Sequence, residues 1–530
     1  MTSLREKETS VVKRRGMVAA SQVTAVNAGL HILNQGGNAI DAAVATAACL
    51  TVVEPCQNGI GGDCFALVWD GEKLHGLNSS GRSPLGWTAD RFSGMDAMPN
   101  CGWESVTVPG QIAGWRAILD RFGSCSMETC LEPAIDAASN GFVVTPIVAK
   151  SWKAGLATHG HSSSFSDTFS VSGNAPVPGS TFHLPDHAKT LRRIAESGGD
   201  DFYQGDLAER IIADARSGGG CLTTDDLANC KAEWVTPISI DACGVKGYEI
   251  PPNGQGIAAL AACGIAEHLG LDRFCLDDPQ AVHLQIESLK QAFADLREEV
   301  ADPEAMRISP QELLSSQRLA ARAKLIDNNC AGPMEATLPS SPGTVLLTTA
   351  DSQGRMVAFI QSNFKGFGSG IVVPGTGIAM QNRGFGFVTT PGHPNQVGPR
   401  KRPFHSIIPG FWTKGGQPIG PFGCMGGDMQ AQGHLQLWQR IFRWGQDPQA
   451  AIDAKRWRLR NDGLLFLEDG FSPMAHEHLI KRGHRIEFAP PSNFGGAQMI
   501  LRQEGGAYLG ATDPRKDGLV GQSQLFTIES

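Results

Sequence analysis

The sequence predicts an α+β protein, and three kinds of stretch carry that prediction. Residues 21–35, SQVTAVNAGLHILNQ, place Val23, Val26, Leu30 and Leu33 at helical spacing. Residues 278–302, DPQAVHLQIESLKQAFADLREEVAD, give a longer amphipathic helix. Residues 65–78, FALVWDGEKLHGLN, and 345–363, VLLTTADSQGRMVAFIQSN, read instead as paired strands closed by turn residues, which favours antiparallel pairing.

Taken in order, the first helix follows Ser21, a candidate N-cap, and stops at Gly36-Gly37. A second helix starts from Asn38 and runs through AIDAAVATAACLTVV, whose small residues suit close packing. The Asp70-Gly71 pair then signals a hairpin with a two-residue loop. Residues 110–330 are richer in helical pattern. Residues 320–343, ARAKLIDNNCAGPMEATLPSSPG in large part, are polar and Pro/Gly-containing, and read as a linker that ends where a strand begins.

With 530 residues the chain has length for two to four units or one large lobed globule. Apolar residues make up 41% and charged residues 18%, which excludes a disordered class. The net charge is −8 and the only dense basic cluster, Lys13-Arg14-Arg15, is short, so nucleic acid is not an expected partner. The N-terminal residues carry no apolar core of a secretory signal, and the 39–53 apolar run contains Asp41 and is too short to span a bilayer. No membrane partner and a cytoplasmic location are the expectations. Thirteen cysteines without a CxxC pair read as reduced thiols. His159/His161 and His476/His478 lack the HExxH spacing, so no metal is expected.

Thr344 follows Gly343 at the start of a strand, where Thr is an ordinary residue. It also suits chemistry. A Thr hydroxyl is a weak nucleophile that needs a base. An N-terminal Thr supplies one in its own α-amine, whose usual pKa is about 7.7–8.0. An internal Thr reaches that state only if the Gly343–Thr344 bond is cut.

Six segments decide between these readings: residues 36–69 with GGNAIDAAVATAACLTVVEPCQNGIGGDCFALVW, SSGRSP (79–84), residues 342–387, PNQVGPRKRPFHSIIP (394–409), GGDMQAQ (426–432) and GATDPRKDG (510–518). In this order they resemble the γ-glutamyltransferase family across nearly the whole chain. The resemblance implies a self-processing N-terminal-nucleophile hydrolase with a four-layer αββα core. A large subunit, residues 1–343, and a small subunit, 344–530, would come from one precursor and form one composite catalytic domain, as a heterodimer or a pair of heterodimers. It implies no cofactor. Thr344 matches the nucleophile and Gly343-Thr344 the processing site. Gly426 and Gly427 match the backbone donors for the oxyanion, Ser362 the hydroxyl that supports the nucleophile, Arg82 the substrate-carboxylate arginine, and Ser406 the kept member of a serine pair.

The departures bear on the substrate. The acid that holds a γ-glutamyl α-ammonium is absent: QNRGFGF has Gly386 there. Phe364, beside Asn363, stands where the family has Asn, and Arg383 adds a positive charge. Phe364 and Arg383 also read as a core residue and a surface loop charge. A buried ammonium without an anion is costly, so an amide with a carboxylate and no α-amino group is the better substrate. This variant pattern resembles a branch of cytoplasmic amidases that includes those acting on oxamate in purine degradation. The alternatives are a γ-glutamyltransferase or glutathione hydrolase, a cephalosporin or glutaryl acylase, and a binding homologue without catalysis.

Overall fold

The structure is a computed structural model that describes residues 16–334 and 343–524. Thirteen strands form its two large sheets: β1 (Met17–Ala20), β2 (Asp63–Trp69), β3 (Leu74–Ser79), β4 (Glu233–Val235), β5 (Ile238–Ala242), β6 (Val245–Glu249), β7 (Gly343–Ala350), β8 (Met356–Phe364), β9 (Gly410–Lys414), β10 (Gln417–Met425), β11 (Gly496–Arg502), β12 (Tyr508–Thr512) and β13 (Leu519–Gln522). The first sheet has the order β13-β1-β7-β8-β2-β3-β4, the second β12-β11-β10-β9-β6-β5, and every pairing in them is antiparallel.

Strand alternation builds the layers. Met17, Ala19, Phe65, Leu67, Leu346, Met356, Ala358 and Ile360 of the first sheet meet Phe411, Met425 and Ile500 of the second in one buried core. The residues between them, Val18, Ala66, Val68, Val345, Leu347, Val357 and Phe359, point the other way into a helical layer that includes α1 (Val23–Asn34) and α2 (Ala39–Val53). The second sheet is covered by α3 (Gly256–Glu267), α4 (Pro279–Glu299) and α5 (Met429–Trp438). The result is the expected α+β sandwich of four layers, αββα.

Local chemistry explains where elements start. Asn38 caps α2 through the amides of Ile40 and Asp41, while Asp41 takes the Asn38 N–H in return. Three details differ from the sequence reading. Gln22, not Ser21, precedes α1, and Ser21 Oγ instead donates to Glu54 at 2.5 Å. The β2–β3 loop is four residues long, because Asp70 Oδ1 accepts from the amides of Glu72 and Lys73 at 2.8 Å and closes a wider turn. The expected linker begins inside a helix, Ser316–Ala323, and its residues 335–342 lie outside the described residues. All thirteen cysteines are free thiols. Among the described residues no helix is long and apolar enough to cross a membrane.

Candidate active site

Thr344 is fully buried near the start of β7, in the middle of the first sheet. The β7–β8 ladder pairs Val345 with Gln361 and resumes at Gly343 with Phe364, so a bulge faces Thr344. The Thr344 N–H therefore leaves the ladder and donates to Gln57 Oε1 at 3.3 Å. Phe364, at the bulge, has φ 75°, a left-handed conformation that costs a non-glycine residue about 1–3 kcal/mol. Gly343 has a packing reason to be glycine: a Cβ there would lie 2.5 Å from Phe364 O.

Ser362 sits at the centre of the site. Its hydroxyl donates to the carbonyl oxygen of Gly343, in the peptide bond that precedes Thr344. Ser362 Oγ accepts from Phe364 N at 2.7 Å and from Arg383 Nη2 at 3.2 Å, and lies 3.5 Å from Thr344 Oγ1. Arg383 also donates to Ser406 Oγ at 3.0 Å and stacks over the Phe364 ring at 4.2 Å. The surface-loop reading of Arg383 is thus corrected: its side chain is fully buried. Among the described residues no carboxylate lies within ion-pair distance of it, and its Nε has no partner. Burial lowers its pKa to about 9, against the attraction of Asp63, which leaves it charged at neutral pH. Beside it, His405 is held neutral. Burial, with Arg383 adding to it, lowers its pKa to about 3 despite the contact with Asp63 at 3.3 Å.

Gly426 and Gly427 form the turn between β10 and α5, with φ 119° and 67°. A Cβ on Gly426 would meet Gly495 Cα at 2.9 Å. The turn is pinned by Gln255, whose Nε2 donates to Gly427 O at 2.8 Å and to Ser406 O. In the first turn of α5, Gln430 Nε2 donates to Thr344 Oγ1 at 3.4 Å. Gln57, Gln255 and Gln430 are site residues that sequence reading missed. Each is a single neutral amide, although Gln57 and Gln430 lie close to the glycine pairs Gly61-Gly62 and Gly426-Gly427.

Arg82 is held by acids. Its guanidinium contacts Asp302 at 2.9 Å, Glu233 at 3.5 Å and Arg400 O at 3.1 Å. It lines a cavity of about 250 Å³ with Glu233, Arg400 and Arg402, and Thr344 is not in that wall. Asn363 Nδ2 bonds Ala379 O at 3.3 Å, while its Oδ1 and both ends of the Gln111 amide are buried without partners among the described residues. Gly62 leaves room between them: a Cβ there would lie 2.7 Å from Asn363 Oδ1 and 2.9 Å from Gln111 Oε1. At Gly386 a Cβ would lie 2.6 Å from Phe404 O, so backbone fills the space an acid would need.

The two histidine pairs picked out in the sequence do not gather ligands among the described residues. His283, Glu287 and His484 do, and all are buried. Their atoms are already engaged: His283 contacts His484 at 2.9 Å and Asp327 O at 3.0 Å, and the Lys290 ammonium lies 2.7 Å from Glu287. Lys290 supplies the cation at this cluster.

The family model for gamma-glutamyltranspeptidase matches residues 25–523. The chain belongs to this family. It is 36% identical over 520 residues to the glutathione hydrolase-like YwrD proenzyme of Bacillus subtilis, covering 96% of this chain and 98% of that protein. It is 35% identical over 525 residues to the oxamate amidohydrolase proenzyme of Klebsiella pneumoniae, with the same coverage. The solved cephalosporin acylase of Bacillus halodurans superposes with a TM-score of 0.91 at 45% identity, over 98% of each chain. The four-layer sandwich is accordingly the N-terminal-nucleophile hydrolase fold of the family.

Proposed function

We propose that this chain is a self-processing amidohydrolase that cuts the amide of a small carboxylate-bearing substrate through Thr344, with oxamate the best candidate. Cleavage at Gly343–Thr344 would give a large and a small subunit, as the word proenzyme implies for its relatives. The observation that carries the substrate class is Arg383, a buried charge near Thr344 with no carboxylate within ion-pair distance among the described residues. Arg82 is occupied by Asp302 and Glu233, so the carboxylate grip passes to Arg383, with Ser406 beside it.

The geometry also acts as a ruler. The contacts of 3.5 Å and 3.2 Å meet at Ser362 Oγ, so the guanidinium stands within about 7 Å of Thr344 Oγ1. A near-attack contact takes about 3–3.5 Å of that span and a charge-assisted hydrogen bond about 2.7–2.9 Å. Only about 1 Å of a straight line is then left, which favours the shortest acyl groups. Oxamate has the shortest link between amide and carboxylate. The filled space at Gly386 further disfavours an α-ammonium.

In this mechanism the freed α-amine of Thr344 takes the Oγ1 proton and Oγ1 attacks the amide carbon. The Gly426 and Gly427 amides face the oxyanion, at a helix N-terminus whose dipole favours negative charge. Ammonia leaves with the amine's proton. Water, activated by the same amine, releases oxalate. Ser362 orients Oγ1, and Asn363 and Phe364 bound the pocket.

The test is ammonia release by the purified protein from oxamate and from glutamine, side by side. Release from oxamate alone is expected. Release from glutamine alone would overturn the reading in favour of a γ-glutamyl enzyme. The 45% identity to a cephalosporin acylase supports a second reading with longer acyl groups, and turnover of a glutaryl amide with silence on oxamate would select it.

A further inference from the structure

We propose that Gln57 and Gln430 hold the two reacting groups of Thr344, Gln57 the α-amine and Gln430 the hydroxyl oxygen. The proposal rests on Thr344 being the nucleophile, and on no particular substrate.

Both amides have a fixed sense. Gln430 is fully buried, and its Oε1 accepts the N–H of Ile408 at 2.9 Å. Only the NH₂ end is then left for Thr344 Oγ1, 3.4 Å away. Gln57 stands in a turn that leaves α2. That turn is pinned by Asn58 Nδ2, which donates to Leu50 O and Glu54 O at 3.0 Å, and by the Gln57 N–H on Glu54 O at 3.0 Å. Gln57 Oε1 accepts the Thr344 N–H only because the β7–β8 bulge frees that N–H from the ladder.

The consequences follow the reaction. Once the peptide is cut, one amine hydrogen stays on Gln57 Oε1 and the nitrogen lone pair is left for the Oγ1 proton. As the amine takes that proton and the Oγ1–acyl bond forms, Gln430 keeps the oxygen on line. In the second half water adds to the acyl carbon and the carbon–Oγ1 bond breaks. Oγ1 leaves with charge that the Gln430 N–H stabilises, until the ammonium proton returns to it. Neither glutamine is charged, so neither pushes the amine away from the pH range where it works as a base. The titratable groups nearby are Glu54 and Cys56 on the Gln57 segment, Cys101, His159 and Lys365 around the adjoining cavity, and, behind Ser362, Arg383 with Asp63 and His405. Burial places Glu54 at about 7 and lowers Lys365.

The test uses the full chain and whichever of oxamate or glutamine the wild type hydrolyses. Gln57→Glu puts a carboxylate on the amine. An opposite charge that close raises a pKa by about 1–3 units, and the base must be neutral, so the acid limb of kcat/KM moves up by at least one unit. Self-cleavage, which precedes the free amine, must not show that shift. Gln430→Glu keeps the acceptor for Ile408 and deletes the donor to Oγ1. It is expected to lower kcat about 10- to 100-fold with KM unchanged and to accumulate acyl-enzyme by mass. Gln430→Leu gives the same kcat. An unmoved acid limb in Gln57→Glu, or a Gln430→Glu enzyme as fast as wild type, would overturn the assignment while leaving Thr344 as nucleophile. A wild-type chain that never cleaves would instead remove the reading beneath it.

Discussion

Replacing Arg383 by Met separates a functional charge from a structural one. The depression from 12.5 to about 9 corresponds to a cost on the order of 5 kcal/mol for holding this guanidinium away from water. Its bonds to Ser362 and Ser406 and its stacking on Phe364 offset part of that cost. Met fills similar space without charge, so Arg383→Met should gain about 1–3 kcal/mol of stability. The substrate carboxylate loses two charge-assisted hydrogen bonds, each worth about 1.5–3 kcal/mol. The kcat/KM for a carboxylate-bearing amide should therefore fall roughly 10²- to 10⁴-fold, while a neutral amide such as acetamide is spared. Urea midpoints and ammonia release measure the two effects on one preparation. A variant destabilised by more than about 2 kcal/mol, or one with kcat/KM within threefold of wild type, would refute the reasoning.

Thr344→Ala should remain a single chain of 56.3 kDa on a denaturing gel and release no ammonia; a cleaved or active variant would contradict the scheme. Arg82→Ala should cost only about 1 kcal/mol in a urea titration and change kcat/KM less than about threefold, since Asp302 keeps the Arg402 N–H at 2.7 Å. Phe364→Asn, which suits a positive φ and opens the pocket, should raise the rate on glutaramate relative to oxamate by about tenfold or more. Acid should destabilise the fold. Burial lowers His187 to about 4 and His405 to about 3, so the unfolded chain binds protons that the folded one refuses as pH drops below about 6.5. Each then costs about 2 kcal/mol at pH 5, and an equal urea midpoint at pH 7.5 and pH 5 would contradict this.

Thr344, Gly426 and Gly427 were picked out because each sits in a motif that carries the family resemblance. So were the long helices and the β7–β8 hairpin, where periodicity is strong. The burial of Arg383 was not, because a loop arginine reads as solvated until Phe364, Ser362 and Ser406 are seen around it. The placement of Arg82 depends on Glu233 and Asp302, which are distant in the chain and have no local signature. Gln57 and Gln430 lie inside motif segments, but a neutral amide there carries no chemical signature of its own. Their roles come from a one-residue slip in a strand ladder and from the first turn of a helix, and both are tertiary facts. The two-residue loop expected at Asp70-Gly71 failed for a local reason, the carboxylate of Asp70 gathering two amides.

The order of the first sheet has a consequence for the life of the molecule. Read across it, strands from before and after the Gly343–Thr344 bond are interleaved: β13, then β1, then β7 and β8, then β2, β3 and β4. A cut there would separate nothing, since each piece is clasped by strands of the other. It would erase the covalent memory that brought them together. In the intact chain, unfolding is a unimolecular event that the chain can reverse alone. After a cut two strangers would have to find each other and re-thread a shared sheet, so cleavage would make the fold a one-way product of its precursor.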